Sequence, residues 1–460
     1  METRNCRAFG AGRHVGRLQG AAPQGICAAS STPWGWAGKF VDNASMNQHA
    51  WTIAGGGIGG LAAAVALARE GVQAQVVEQA SAWAEVGAGI QLGPNVTRIL
   101  RDWNLEEELR ACASFPDALV VRDAVSGVRL GQLRLGRECV QRYGAPYATI
   151  HRADMHALLL RESQSMGVQT RLHHRVTAWT AAPEGGLALS IRNVGALDEG
   201  AGALQSEPID VRTEALIGAD GLWSTVRGEL LPGEAAPRFS GILAYRALVA
   251  QADLPEALRN QVVTVWLGAG MHMVQYPVRG GSHLNVVALV EGPRPEDLQN
   301  WDHAANAGHL RRVLSAYGRE VQALAEAIAQ WRLWPLCDRP PVASADQMAR
   351  GRVALLGDAA HPMRPFMAQG ACMAIEDAAT LAFCVATRPE GAIPDLLQHY
   401  AALRWQRCAR VQQRSIRNGE IFHCTGLMRW GRDWAMRLGG EHLLDVPWLY
   451  GHEVPVRQHA

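Results

Sequence analysis

The sequence predicts an α/β fold into which a mostly antiparallel sheet is inserted, with helices at the C-terminal end. Three observations predict this arrangement. The segment 49–80 has the pattern of a strand, a glycine-rich turn, a helix and a second strand. Residues 237–295 are rich in Val, Leu and Tyr and alternate apolar and polar positions between turn signals, which is typical of antiparallel sheet. Residues 307–331 and 394–423 have the pattern of helices.

Composition excludes several classes of protein. The chain has 460 residues, of which 48% are hydrophobic, so it can bury a large core. Its 44 Lys and Arg almost balance 43 Asp and Glu, which argues against a nucleic-acid partner. We expect no membrane span, because no apolar run reaches roughly 18–20 residues. The nine cysteines include no C-x-x-C pair, so we expect free thiols in a reducing, cytoplasmic compartment and no metal site.

The first 45 residues are expected to lie outside the fold. Residues 1–45 are rich in Gly, Ala, Ser and Arg, contain almost no acid, and lack the apolar segment of a secretory signal. Met46 stands directly before the segment in which the first strand is predicted. We therefore interpret 1–45 as a disordered extension or as the product of a mis-assigned start.

A dinucleotide site is predicted at the turn after the first strand. Gly55, Gly57 and Gly60 fit G-x-G-x-x-G, and Glu78 ends the second strand. The first glycine allows a tight turn, and the second lets the backbone approach a pyrophosphate at the helix N-terminus. The third lets the helix pack closely on the strand, while Glu78 can accept hydrogen bonds from a ribose.

Two further acids stand at predicted strand ends far along the chain. Asp220 precedes Gly221 in "GADG", and Asp358 lies in "LLGDAAH". An Asp–Gly pair alone is often only a turn, and a simple NAD dehydrogenase would explain the first motif. Acids at three strand ends instead favour one longer ligand. FAD fits, with its adenosine at Glu78, its pyrophosphate at the glycines and its ribityl hydroxyls at an aspartate.

Together these motifs resemble the single-component (class A) FAD-dependent aromatic hydroxylases. The resemblance covers roughly Met46 to Gly451 and is carried by the segments 55–67, 86–95, 150–159, 218–227 and 355–378. It implies a Rossmann-like FAD-binding domain of the para-hydroxybenzoate hydroxylase type. The implied divisions are an FAD-binding domain over 46–230 and 340–415, a substrate-binding sheet domain over 231–339, and a C-terminal helical tail over 416–460.

The resemblance also implies which residues contact the cofactor. Besides the glycine motif and Glu78, these are Gly89, Arg152, Asp220, Gly221, Asp358, Pro365, Gly370 and Ala371. Arg152 would contact the flavin side chain, Asp220 would serve the FAD and NAD(P)H sites, and Asp358 would hold a ribityl hydroxyl. The helix that begins at Gly370 would direct its positive end at the pyrimidine edge of the flavin ring.

The implied reaction is an aromatic hydroxylation. NADH or NADPH would reduce FAD, and oxygen would add at flavin C4a to give a hydroperoxide that hydroxylates an electron-rich ring. The expected substrate is a hydroxylated aromatic acid of the salicylate or 3-hydroxybenzoate type, in aromatic catabolism. Tyr245 and His272, near Arg246 and Tyr276, are the candidates that activate the phenol. The expected partners are this acid, O2 and NAD(P)H, with a monomer or homodimer as the assembly.

Two alternatives remain open from the sequence. The loop 361–378 is very similar to that of the 6-hydroxynicotinate 3-monooxygenases, which would make the enzyme a decarboxylating hydroxylase. A flavoprotein oxidase would share the FAD motifs but would need no nicotinamide cofactor.

Overall fold

The structure, a computed structural model, describes residues 51–83, 88–195, 207–299, 303–304 and 307–455. The predicted extension 1–45 lies outside the described residues.

The described residues form helices and strands that alternate along the first part of the chain. The helices are α1 Ile58–Arg69, α2 Pro94–Asp102, α3 Glu106–Cys112, α4 Gly136–Tyr143, α5 Arg152–Ser165, α6 Thr225–Leu230, α7 Ala307–Leu314, α8 Arg319–Ala327, α9 Gly370–Thr387, α10 Ile393–Phe422, α11 Gly426–Leu444 and α12 Pro447–Tyr450. The strands are β1 Trp51–Ala54, β2 Ala74–Val77, β3 Gly89–Leu92, β4 Ala118–Asp123, β5 Arg129–Arg134, β6 Ala148–His151, β7 Gln169–Arg171, β8 His174–Ala181, β9 Leu187–Asn193, β10 Ile209–Thr213, β11 Leu216–Gly218, β12 Arg238–Ala250, β13 Val263–Leu267, β14 Met271–Val278, β15 His283–Glu291, β16 His303–Ala304, β17 Arg332–Asp338, β18 Ala349–Arg350 and β19 Val353–Leu355.

A mostly parallel sheet forms the centre of the predicted cofactor domain. Within the described residues its strand order is β18-β19-β11-β1-β2-β7, and only the edge strand β18 runs antiparallel to its neighbour. Its central strand β1 is buried throughout, as expected for a parallel sheet covered on both faces. The carboxyl ends of β1, β11 and β19 lie side by side, which confirms the predicted Rossmann-like α/β fold.

Helices α1 and α9 pack closely beside this sheet. A Cβ atom on Gly59 would lie 3.2 Å from Cβ of Ala374, so the small residue permits the close approach. In the described part of the chain, α9 is the one helix long and apolar enough to cross a membrane. Because 67% of that helix is buried inside the protein, it behaves as a core helix.

Two buried acids in α9 anchor it to α10. Arg404 donates to Asp377 at 2.7 Å and to Glu376 at 2.8 Å, and Arg407 also donates to Glu376 at 2.7 Å. Burial alone would raise the pKa of Glu376, but the adjacent Arg404 and Arg407 lower it to about 2. Removing one cation from such a cluster leaves charge uncompensated in the protein interior.

The second large sheet is mostly antiparallel, as predicted, but it is wider than the predicted segment 231–339. Among the described residues its strand order is β16-β17-β12-β15-β14-β13-β4-β5. Strands β4 and β5 come from residues 118–134, and β4 joins the sheet through parallel pairing with β13. The sheet therefore includes two strands that begin more than a hundred residues before the predicted segment. Helices α7 and α8 pack on one face of this sheet.

Replacing Arg404 with leucine should lower the free energy of unfolding by about 3–5 kcal/mol, because two carboxylates would lose a buried partner. Urea denaturation of the purified protein measures this change. The matched control is Arg417→Leu, since Arg417 is exposed on the same helix. That control should change the free energy by no more than about 0.5 kcal/mol. Equal stability of the two variants would contradict a structural role for Arg404.

Candidate active site

A cavity of about 660 Å³ lies between the ends of the parallel strands and one face of the antiparallel sheet. The loops after β1, β11 and β19 line one side, together with the first residues of α5 and α9. Strands β12, β14 and β15 line the other side. Ligands of open α/β sheets bind at the carboxyl ends of the strands, so this is the expected position for the cofactor.

Most of the predicted site residues meet at this cavity. The predicted residues that line it are Gly55, Gly57, Glu78, Gly89, Arg152, Asp220, Gly221, His272, Asp358, Pro365, Gly370 and Ala371. Two predicted residues are not part of the lining. Gly60 lies behind the turn, in the contact between α1 and β1, and Tyr245 lies on the opposite face of the antiparallel sheet.

The glycine-rich turn holds the backbone close to the cavity. Gly55 has φ +103°, and a Cβ atom there would lie 2.3 Å from the carbonyl oxygen of Ala219. A Cβ atom on Gly60 would lie 1.9 Å from the carbonyl oxygen of Gly55. Helix α1 follows, and no described side chain caps its N-terminus at Gly57. Its first backbone N–H groups therefore remain to bind the phosphates of a ligand.

Two of the predicted acids also stabilise the turns around the cavity. Glu78 accepts hydrogen bonds from the backbone N–H groups of Gly56 at 2.6 Å and Ala80 at 2.7 Å. Asp220 caps α6 by accepting from the backbone N–H of Thr225 at 2.8 Å, and the hydroxyl of Ser224 also donates to it. Asp220 therefore has a structural role in the turn as well as a position on the cavity wall.

Asp358 differs from these two acids because its carboxylate is exposed to the cavity. It accepts no hydrogen bond from any described residue, so both oxygens can accept from ligand hydroxyls. Burial among the surrounding protein atoms raises the pKa of Asp358, while the positive charge of Arg152 opposes that rise. A Cβ atom on Gly370 would lie 4.0 Å from Oδ1 of Asp358, which places the carboxylate beside the start of α9.

These features fit bound FAD. The lining runs from Glu78 past the uncapped start of α1 to Asp358 and the start of α9, which gives phosphate donors and a hydroxyl acceptor in sequence. No described side chain caps α9 at Gln369 either, so its first N–H groups can stabilise negative charge on a flavin ring.

Arg246 brings a positive charge to the sheet side of the cavity. Its guanidinium carbon lies 3.9 Å from the centroid of the Trp334 ring, and Nε is buried without a hydrogen-bond partner among the described residues. Burial lowers the pKa of Arg246 to about 10, so the side chain stays cationic at neutral pH. A buried N–H without a partner indicates a missing acceptor.

Tyr245 is not brought to the cavity, contrary to the prediction. Neighbouring residues of a strand point to opposite faces, so Arg246 on the cavity side places Tyr245 on the other side. There Tyr245 packs with Met273 and Ala288, and its hydroxyl lies 2.7 Å from Nδ1 of His309. The side chain is part of the core between the sheet and helices α7 and α8.

His272 lines the cavity as predicted, in the middle of an aromatic cluster. Its ring centroid lies 5.0 Å from that of Phe366, and its Nδ1 lies 2.8 Å from Nε2 of His423. Burial and the adjacent His423 lower the pKa of His272 well below its usual value, so the imidazole is neutral at neutral pH. Tyr276 follows on the same face of β14, and burial raises the pKa of its hydroxyl.

Comparison with known proteins identifies the family. Residues 49–415 match the family described as the FAD binding domain. The 3-hydroxybenzoate 6-hydroxylase of Polaromonas naphthalenivorans (strain CJ2) is 38% identical over 408 residues, which cover 87% of this chain and 96% of the relative. The chain belongs to this FAD-binding family. It is an FAD-dependent aromatic monooxygenase.

Two further relatives of this monooxygenase cover much of its length. The 6-hydroxynicotinate 3-monooxygenase of Bordetella bronchiseptica is 37% identical over 337 residues, which cover 72% of this chain and 80% of the relative. A salicylate hydroxylase solved as a substrate complex has a TM-score of 0.71 and 26% identity, with 89% of this chain and 96% of that chain covered. The predicted FAD-binding fold and the predicted FAD cofactor are confirmed.

Replacing Asp358 with alanine should weaken FAD binding by about tenfold or more, because hydrogen bonds to a charged group each contribute about 1.5–3 kcal/mol. The flavin retained after repeated ultrafiltration, read by its absorbance, measures the change. Asp253→Ala is the control, since Asp253 is exposed outside the cavity. Full flavin occupancy in the Asp358 variant would refute the proposed contact.

Proposed function

We propose that the enzyme hydroxylates a hydroxylated aromatic acid of the 3-hydroxybenzoate or salicylate type, with NAD(P)H and O2 as co-substrates, in aromatic catabolism. The observation that carries the proposal is the unpartnered, buried Nε of the cationic Arg246 on the cavity wall. A planar guanidinium matches the geometry of a carboxylate, which would supply the acceptor that Nε lacks. We place the enzyme in the cytoplasm, as a monomer or a homodimer.

The surroundings of Arg246 suit an aromatic ring attached to that carboxylate. Val274, Val287 and Leu289 line the same wall of the cavity. Apolar walls with a few fixed polar groups are typical of small-molecule sites, in which the apolar part supplies affinity and the polar groups set orientation. An acid held at Arg246 would therefore lie with its ring against these aliphatic side chains.

His272 and Tyr276 supply polar atoms for the ring hydroxyl. The hydrogen bond of His272 to His423 uses Nδ1, which leaves Nε2 for a group in the cavity. A neutral imidazole can accept the proton of a phenol, and the resulting phenolate makes the ring more electron-rich. The expected role of His272 therefore stays as predicted. Tyr245 lies outside the cavity and has no role in this proposal, and Arg246 is assigned to the carboxylate.

The cofactor side of the cavity complements this wall. When bound, FAD supplies the redox chemistry that activates oxygen. The glycine-rich turn, Arg152 and Asp358 would hold the cofactor, and the start of α9 would favour negative charge beside it.

A 6-hydroxynicotinate type of substrate is the second candidate. The 37% identity to the Bordetella bronchiseptica 6-hydroxynicotinate 3-monooxygenase favours it. Such a substrate also combines a carboxylate with a ring hydroxyl, so Arg246 and His272 would serve it in the same way.

Substrate choice is tested with the purified yellow holoprotein. NADH and NADPH oxidation, peroxide formation and products are measured with 3-hydroxybenzoate, salicylate, 4-hydroxybenzoate and 6-hydroxynicotinate. We expect stimulated NAD(P)H oxidation and a hydroxylated product with 3-hydroxybenzoate or salicylate. A product from 6-hydroxynicotinate alone would favour the second candidate. Substrate oxidation without NAD(P)H would indicate an oxidase and overturn the proposal.

Arg246→Met should raise KM for the acid substrate by about ten- to a hundredfold, because a charge-assisted hydrogen bond is lost. Flavin occupancy should stay unchanged, and the amide analogue of the substrate should lose far less than the acid. Steady-state NAD(P)H oxidation measures both effects. Arg312→Met, an exposed position on α7, is the control. Equal losses for the acid and its amide would exclude a carboxylate contact at Arg246.

A further inference from the structure

We propose that His272, His423 and Glu291 form a proton relay that carries the phenol proton of the substrate from the cavity to solvent. This inference rests on the proposed function, since it needs a ring hydroxyl beside His272. It assigns a role to His423, which follows the end of α10 and is distant in sequence from the other cavity residues.

The three side chains lie one after another between the cavity and the surface. His272 lines the cavity, and its Nδ1 lies 2.8 Å from Nε2 of His423. The other ring nitrogen of His423, Nδ1, lies 4.0 Å from Oε1 of Glu291, whose side chain is 69% exposed. Each imidazole is thus placed to receive a proton on one nitrogen and release it from the other, which is the arrangement of a proton shuttle.

Packing fixes the orientation of both rings. The ring centroid of His423 lies 5.7 Å from that of Phe366, and Phe422 packs at 5.4 Å from His272. The backbone of His423 is held as well, because its carbonyl oxygen accepts from the N–H of Gly270 at 3.1 Å. These contacts hold the two imidazoles at hydrogen-bond distance.

Burial keeps both imidazoles neutral, and the charged groups around His423 add to this effect. Burial, together with the positive charges of Arg432 and Arg364, lowers the pKa of His423 to about 4. Arg364 is itself paired with Asp338 at 2.7 Å and Arg432 with Asp433 at 2.8 Å, and Glu291 is the acid that faces His423. Neither imidazole holds a second proton at neutral pH. When one ring accepts a proton, it must therefore release its other proton.

The transfer consists of proton movements only, and no atom changes its oxidation state. The phenol O–H bond breaks as an N–H bond forms at Nε2 of His272, and the proton on Nδ1 of His272 moves to Nε2 of His423. The proton on Nδ1 of His423 then passes to Glu291, whose exposed side chain can rotate to close the 4.0 Å separation. The substrate becomes a phenolate, one proton reaches solvent, and both imidazoles remain neutral in the opposite tautomer.

The test measures proton release when substrate binds to the oxidised holoenzyme without NAD(P)H. Enzyme and 3-hydroxybenzoate are mixed by stopped flow in weak buffer with a pH indicator. His423→Ala should slow proton release by about tenfold or more, and added imidazole should restore it. His423→Phe should be equally slow and should not be restored. His442→Ala, at an exposed position of α11, should release the proton at the wild-type rate.

A surface variant keeps the test decisive if substitution of His423 disturbs folding. Glu291→Gln changes an exposed side chain, and it should slow release only in weak buffer. Wild-type release rates in Glu291→Gln and in any folded His423 variant would overturn the relay, while substrate hydroxylation by the wild type would leave the proposed function intact. If no aromatic acid binds or stimulates NAD(P)H oxidation, the proposed function fails, and the relay fails with it.

Discussion

The loop 357–361 carries Asp358 to the cavity, and its position depends on the buried charges of α9. Asp377 accepts hydrogen bonds from the backbone N–H of Gly357 at 3.0 Å and from Nε2 of His361 at 2.5 Å. These two residues flank Asp358, so Asp377 fixes the short segment that presents the free carboxylate to the cavity. Arg404 compensates the charge of Asp377 from α10. A buried ion pair of this kind contributes little net stability, and we infer that it specifies position instead.

The two walls of the cavity present different kinds of groups to a ligand. The parallel-sheet wall presents mainly backbone at glycine turns and helix starts, together with the side chains of Glu78, Arg152 and Asp358. The antiparallel wall presents side chains on a regular pleated surface. This division explains why the cofactor is recognisable from short motifs, whereas the proposed substrate contacts are single side chains such as Arg246.

Sequence reasoning succeeded where the signal is local. Gly55, Gly60 and Glu78 belong to one strand–turn–helix unit, so their spacing alone predicts their arrangement. It failed for Tyr245, because alternation shows that Tyr245 and Arg246 face opposite sides but not which side meets the cavity. Contacts between distant segments, such as the pairing of β4 with β13, could not be predicted from the sequence either. The pairing of His272 with His423 spans 151 residues and leaves no local pattern.

We infer that this cavity transfers one atom of molecular oxygen to an aromatic acid. The most direct measurement is turnover of 3-hydroxybenzoate and salicylate with NAD(P)H under ¹⁸O-labelled oxygen, followed by mass spectrometry of the product. We expect a hydroxylated product that carries one labelled oxygen atom and forms at the same rate as NAD(P)H is oxidised. A product labelled from water, or peroxide as the sole outcome of NAD(P)H oxidation, would contradict it.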